Sequence, residues 1–236
     1  MISLQPANDR GLAHAQVAIT QHHYLHAPVD VRCSPIAYEV CLHAHFGVYS
    51  VGWLIVGRPE ATRCYDGALT YGSLKDRRDG RCHFDRWEML NLARVWLHPN
   101  VQIGGIFYRP DLLPGYTDRR GVWRSTVASY VINLLTECVG YDYLIDHLPC
   151  FPDEPYEIKA LLSYCDTSVH RGTIYRAAGW RLARINDRGI ETYCTTNVTP
   201  LTSYQRDMIE KRVGQSFRSR RYRAQRAKQI TQMELL

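Results

Sequence analysis

Residues 22 to 26 read His-His-Tyr-Leu-His, three imidazoles and a phenol within five positions, at the point where an N-terminal amphipathic stretch runs out. Imidazole is the side chain that titrates nearest neutrality and the commonest metal-binding one, so the cluster is the densest usable chemistry in the chain. The eight cysteines are spread through apolar segments with no Cys-x-x-Cys pair, which disfavours a zinc ribbon and makes reduced, buried thiols the default. Cys165, beside Asp166, is the one that adjoins other chemistry.

A second concentration is electrostatic. From Arg206 to Lys228 nine Lys or Arg stand against Asp207 and Glu210, a net of +7 that leaves the rest of the chain at −1 out of a total of +6. Within it Arg218, Arg220, Arg221, Arg223, Arg226 and Lys228 interleave with Phe217 and Tyr222. Guanidinium groups pair with phosphate oxygens in bidentate fashion, and a merely solubilising helix mixes both signs, so the run points to nucleic acid.

The elements that must position these groups follow from patterning. The 236-residue chain is 45 % hydrophobic, enough for a folded core, and no stretch reaches the ~18 apolar residues of a membrane span. The N-terminus lacks the basic-then-apolar order of a secretion signal, so a cytoplasmic location and no membrane partner are expected. Ile2 to Gln5 predicts a strand, and Asn8 an N-cap for a helix with Leu12, Ala15 and Ile19 on one side. Ile36 to Leu42 and Val48 to Val56 predict an antiparallel hairpin turning near His45 to Gly47. After a polar excursion, Arg58 to Arg86, the apolar run Trp87 to Leu97 predicts a central strand. Glycines and prolines over 100–123 argue against regular structure. Val127, Val131, Leu134, Leu135 and Cys138 predict a helix beginning near Arg124 and stopping at Gly140, with a strand over Tyr143 to Leu148 and a helix or strand over Glu157 to Tyr164.

That order, closing on Gly172-Thr-Ile-Tyr-Arg-Ala-Ala-Gly-Trp180, resembles the GNAT acyltransferase superfamily. There the C-terminal helix carries a Tyr and ends at a Gly-aromatic pair before the last strands, here Arg181 to Ile185 and Thr192 to Thr195. Gln21-His-His-Tyr-Leu-His26, Leu92-Ala-Arg-Val-Trp-Leu-His98 and Ser163-Tyr-Cys-Asp-Thr-Ser-Val-His-Arg-Gly-Thr-Ile-Tyr175 each resemble segments of the Mom proteins of Mu-like phages, as does Val127-Ala-Ser-Tyr130 more weakly. The resemblance spans about 20–175; the 58–86 excursion and the basic tail have no counterpart in it.

The resemblance implies an α/β (α+β) fold with a GNAT-like mixed, mostly antiparallel central sheet flanked by helices over 1–200, followed by a basic helical tail over 201–236. It implies an enzyme that modifies the exocyclic N6 amine of adenine in double-stranded DNA with a carbamoylmethyl, glycinamide-like group, shielding phage DNA from restriction. Position by position it carries over His23, Tyr24, Arg94, Ser129, Asp166 and Tyr175. Asp166 and Tyr175 divide the roles of proton acceptor and proton donor, with Tyr175 the usual GNAT acid. Arg94 and Ser129 are donor- or substrate-binding candidates, although Arg94 could sit in a buried ion pair and Ser129 could satisfy a backbone group. The family's association with iron makes His22, His23, Tyr24, His26 and Asp166 a candidate Fe(II) set, its ligands too hard for a soft metal.

The donor stays open. Gln102-Ile-Gly-Gly-Ile106 departs from the Gln/Arg-x-x-Gly-x-Gly/Ala loop that grips the pyrophosphate of acyl-CoA, so acetyl-CoA competes with a glycyl-tRNA, for which the basic tail would bind RNA as well as DNA. Two other readings remain: an acyl-CoA-dependent N-acetyltransferase on a small amine or protein, and a non-enzymatic DNA-binding protein on a GNAT-like fold.

Overall fold

A computed structural model of the chain describes residues 1–23, 25–61, 63–64, 69–102, 113–117, 119–121, 123–148 and 157–215. The chain opens with strand β1 (Ile2–Pro6) and helix α1 (Asp9–His22), whose N-cap Asn8 accepts from the Gly11 amide at 3.0 Å. The hairpin β2 (Ile36–Ala44) and β3 (Gly47–Gly57) follows. Next come β4 (Tyr71–Gly72), α2 (Leu74–Arg78), β5 (Phe84–Asp85), β6 (Met89–Leu97), a small hairpin β7 (Gly115–Thr117) and β8 (Trp123–Ser125), and α3 (Val127–Asp146). The chain continues through β9 (Ala160–Asp166), α4 (Thr173–Ala177), β10 (Arg181–Ile185), β11 (Ile190–Thr195) and a helix α5 over 203–215.

Among the described residues the main sheet runs β1-β2-β3-β6-β9-β11-β10, antiparallel throughout except for the central pair β6 and β9. This is the GNAT-like architecture expected. One face is covered by α3, whose Val127, Val131, Leu135, Val139 and Tyr143 join the largest core cluster with Tyr38, Leu54, Leu90 and Leu161. On a second side α1 buries Ala15 and Ile19 against Ala37, Trp53 and Ile55. No helix of the described residues is long and apolar enough to cross a membrane.

Several expectations are corrected. Helix α3 does not stop at Gly140, and Tyr143 to Leu148 is no strand: residues up to Asp146 are the last turns of α3. A mid-helix glycine costs about 1 kcal/mol, whereas fully burying Tyr143 or Leu144 is worth roughly 1.5–3 kcal/mol each, so packing overrides the local signal. The start is also later than expected, since Arg124 belongs to β8. The 58–86 excursion contains β4, α2 and β5, and its Leu69 and Tyr71 close a third core cluster with Met89, Ala160 and Leu162. In 100–123, β7 pairs with the start of β8. Of the stretch expected as a tail, Leu201, Ile209 and Val213 are buried in the main core; the basic run from Arg218 onward lies outside the described residues.

The excursion is tied to the sheet by one carboxylate. Glu88 is 1 % exposed; its Oε1 pairs with Arg77 and, at 2.7 Å, with Lys159, and its Oε2 accepts the Asp85 amide at 3.0 Å. The Glu88 carbonyl takes the Lys159 amide at 2.7 Å, so the group fixes the start of β6 beside the start of β9. Glu88→Leu is expected to lower unfolding free energy by about 2–4 kcal/mol, toward the low end of buried pairs because both cations are part-exposed and can hydrate. Lys159→Met, which leaves Arg77 on the carboxylate, is expected to cost under ~1 kcal/mol. Urea denaturation of the two variants checks the contrast.

Candidate active-site cleft

Strands β6 and β9 pair only from Met89–Asn91 to Ala160–Leu162 and then part. Ile55 faces Arg94 while Val56 faces Leu92, so Ala93 is an extra residue, a bulge that bends β6. The bulge also switches the alternation: Leu90 and Leu92 before it and Val95 and Leu97 after it join the α3-side core, whereas Ala93 and Trp96 pack on the α1 side. Into the gap opens a cavity of about 760 Å³.

His23, Arg94, Asp166 and Tyr175, widely separated in sequence, all line this cavity. His23 is the C-cap of α1, its amide bonded to the Ile19 carbonyl at 2.8 Å. Burial, then the positive charge of Arg94, pushes its imidazole down to about 4, so it is neutral near pH 7. Its Nδ1 accepts the Leu25 amide at 3.3 Å, and a neutral imidazole so engaged carries its proton on Nε2. Arg94 is half-buried and donates to the Ala93 carbonyl at 2.7 Å.

Asp166 ends β9. Its Oδ1 accepts from the Ser168 hydroxyl at 2.6 Å and the Ser168 amide at 2.9 Å, which hold its carboxyl below the usual carboxylate value. The carboxylate therefore stays ionised, and both Ser168 bonds fall on one oxygen. Cys165 is buried with its thiol pushed up by that burial, which makes it a protonated, unreactive neighbour.

Tyr175 lies on α4, 8 % exposed, its ring stacked on Tyr193 at 5.1 Å and tilted against Trp180 at 5.6 Å. The Ser163 hydroxyl lies 2.7 Å from the Leu92 carbonyl and 2.8 Å from Tyr175 Oη. One hydroxyl has one proton, so when Ser163 donates to the carbonyl the phenol donates to Ser163. Gly172 caps α4 in the left-handed region, φ +62°, and a Cβ there would meet Tyr193 Oη at 2.4 Å. Only glycine serves both conditions. Tyr193 itself donates to Glu191 at 2.6 Å and accepts from Arg176 at 2.7 Å.

Other expected residues are not brought into the cleft. The Ser129 hydroxyl donates to the Thr126 carbonyl at 3.0 Å, and the residue is not among those lining the cavity. The His22 ring stacks on Trp96 at 5.1 Å, and His26 Nδ1 lies 3.1 Å from the Thr20 carbonyl. The described residues hold no group of three or more His, Cys, Asp or Glu that could bind a metal ion. Tyr24 lies outside the described residues, as do Arg218, Arg220, Arg221, Arg223, Arg226 and Lys228, and of the Gln102 to Ile106 loop only Gln102 is described, at the cavity wall. Sequence reasoning did not single out Asn91, His170 or Arg171, which line the cavity, or Ser163, which bonds Tyr175 behind it. A polar side chain inside an otherwise apolar strand was the available signal for Asn91 and Ser163.

No protein-family profile matches the chain, and no curated protein matches it. Solved structures similar to it include a domain from Methanocaldococcus jannaschii DSM 2661, at 9 % identity and TM-score 0.39, covering 85 % of this chain and 99 % of that one. The GNAT domain of S. lividans PAT is similar at 7 % identity and TM-score 0.40 over 84 % and 89 % of the two chains. Arabidopsis thaliana NAA60 in complex with acetyl-CoA is similar at 10 % identity and TM-score 0.40 over 82 % and 96 %. The strand order and its single parallel pair, not these likenesses, define the fold as GNAT-like.

The His23 shift has a pH consequence. An unfolded imidazole takes up a proton below about 6.5 and the folded one only below about 4, so between these values the unfolded state binds more protons and stability falls with acid. His23→Gln is expected to lose less stability than the parent chain between pH 7 and about pH 4.5, measured as urea midpoints. In the parent chain the His23 ring protons should titrate near pH 4 by NMR, and Arg94→Leu should move that midpoint up; a midpoint near 6.5 contradicts the burial described.

Proposed function

We propose that the protein is a GNAT-type transferase whose acceptor is an amine, and that this amine is N6 of adenine in DNA, which it leaves carrying a carbamoylmethyl, glycinamide-type group. One observation carries the reading. The three segments that resemble Mom proteins, 21–26, 92–98 and 163–175, lie far apart in the chain, yet each contributes to the wall of the same cavity through His23, Arg94, and Asp166 with Tyr175. Segments that resembled the family by chance would have no reason to meet.

The chemistry fits the groups present. In the acyl-transfer step N6 bonds to the carbonyl carbon of a glycyl ester as the ester C–O bond breaks, the nitrogen sheds a proton and the leaving hydroxyl gains one. The first product is the N6-glycyl amide, which has the same atoms as the carbamoylmethyl group and becomes it by migration of the two-carbon unit. Once bonded to carbon and still carrying both protons, N6 is cationic and strongly acidic, so Asp166, its carboxyl held below the usual value by Ser168, suffices as acceptor despite its weak basicity. Tyr175 is the donor: its one proton, directed at Ser163 at rest, turns to the leaving group as that group gains charge, while Ser163, held on the Leu92 carbonyl, keeps the phenol oxygen in place. His23, neutral near pH 7, brings an uncharged imidazole to the cavity wall rather than a strong base. Arg94 and the exposed Arg171 supply positive charge at the cavity, which suits a phosphate-bearing substrate. No step is assigned to iron.

Expression in bacteria, followed by mass spectrometry of nucleosides from plasmid DNA, tests the reading. Deoxyadenosine heavier by one glycinamide-type group that carries isotopic glycine is expected for a glycyl-tRNA donor, and deoxyadenosine heavier by one acetyl group that carries labelled acetate for acetyl-CoA. Tyr175→Phe is expected to lower the adduct by roughly 10²- to 10⁴-fold. Unmodified DNA together with acetylation of a small amine or protein would support instead an ordinary acyl-CoA-dependent N-acetyltransferase.

The basic run from Arg218 to Lys228 is assigned to DNA, and to tRNA where that is the donor. Replacing Arg220, Arg221, Arg223 and Arg226 by Ala is expected to weaken binding to every DNA sequence alike and to flatten the salt dependence by about 0.9 in log-log slope for each lost phosphate contact. Electrophoretic mobility shifts at several salt concentrations measure that slope, and an unchanged slope returns the run to a solubilising role.

A further inference from the structure

Asn91 stands at the last rung before the central strands part, opposite Leu162. It is 6 % exposed and lines the cavity, and its Oδ1 is buried without a hydrogen-bond partner among the described residues. A buried amide oxygen left unmatched is costly, and native chains retain few of them without a functional reason. The neighbouring apolar residues show that the strand itself does not call for a polar side chain here: Met89, Leu90 and Leu92 are all buried in core clusters. The amide is therefore kept for something that enters the gap.

An Asn side chain presents one acceptor and a pair of donors on a plane, and the ligand edge that matches it has an N–H beside a ring-nitrogen acceptor. Adenine carries that edge, N6–H next to N7, and pairs with Asn in bidentate fashion. We propose that Asn91 reads this edge of the acceptor adenine, its Oδ1 taking one N6–H and its Nδ2 donating to N7. The proposal rests on the reading of the acceptor as adenine in DNA. A side chain so buried at the floor of the cleft meets the base only when the nucleotide has rotated out of the duplex. Accepting one N6–H also turns the other face of the amine toward the groups on β9 and α4, which makes Asn91 a specificity and positioning residue.

The test uses the full chain and oligonucleotides that differ at one atom, with adenine or 7-deazaadenine, which lacks the N7 acceptor, at the target position. Wild-type protein is expected to lose roughly 10- to 100-fold in kcat/KM on the 7-deaza substrate, the range of a good bidentate pair. Asn91→Leu is expected to lose at least that factor on adenine, since it removes both bonds of the pair, and to show little further loss on 7-deazaadenine, because the contact to N7 is already gone. Asn91→Asp, which keeps the shape and an acceptor but removes the donor, should also become indifferent to N7. The thermal midpoint of Asn91→Leu is expected to match or exceed the parent's, since the change deletes an unmatched buried group. Independent, multiplying losses in variant and substrate, or a lowered midpoint with N7 discrimination intact, would overturn the proposal and make Asn91 structural. Wild-type protein that leaves adenine unmodified in all substrates would overturn the parent reading, and the role of Asn91 with it.

Discussion

The whole arrangement depends on how two parallel strands stop pairing. After Asn91 and Leu162 the ladder between β6 and β9 ends, and every backbone group it would have used needs another partner. Each strand keeps its outer edge: β3 pairs with β6 as far as Leu97, and β11 pairs with β9 along its length from Leu161 to Asp166. On the inner edge the Leu92 carbonyl takes the Ser163 hydroxyl instead of a β9 amide. A side chain thus replaces a rung, and the same side chain fixes Tyr175. Structural repair of the gap and alignment of the proposed acid are one interaction.

The gap also decides charge states. Burial keeps His23 neutral and the Cys165 thiol protonated, while the two Ser168 bonds keep Asp166 ionised. Basic side chains, Arg94 and Arg171, and acidic ones, Asp166 and Glu60, line the same cavity. A field of mixed sign inside a cleft favours a polar, hydrogen-bonding substrate part such as a base with its phosphate, more than the purely apolar arm of a small donor.

Most of the element order was legible because each element carries its own period: Ala15 and Ile19 on α1, the apolar run of β6, Val131 and Leu135 on α3. Gly140 misled because a local breaker is judged against packing that lies elsewhere, here the burial of Tyr143 and Leu144. Four cleft residues were legible from resemblance, since their segments keep recognisable spacing. Ser129 was not separable from them by spacing, because only the helix geometry turns its hydroxyl back onto Thr126. Asn91 and Ser163 stayed hidden for a different reason. Their significance comes from a register between segments about 70 residues apart, and a single strand read alone shows only an interruption in its apolar pattern.

Hydrogen-bond accounting separates two kinds of buried polar residue that look alike in sequence. Glu88 interrupts an apolar region as Asn91 does, yet both of its oxygens are matched, and it locks the starts of β6 and β9 together. Asn91 lies three residues further on and is left unmatched at Oδ1, where the lock ends and the cleft begins. Around it cluster the other departures from ideal folding, the bulge at Ala93, the half-buried Arg94 and the left-handed Gly172 across the gap. Chains concentrate such departures where function requires them and compensate elsewhere, and the Glu88 carboxylate, matched at both oxygens, is the compensation that sits closest. Rigidity upstream is what lets the strands part at a fixed point, and a fixed point of parting is what allows residues from α1, β6, β9 and α4 to face one substrate.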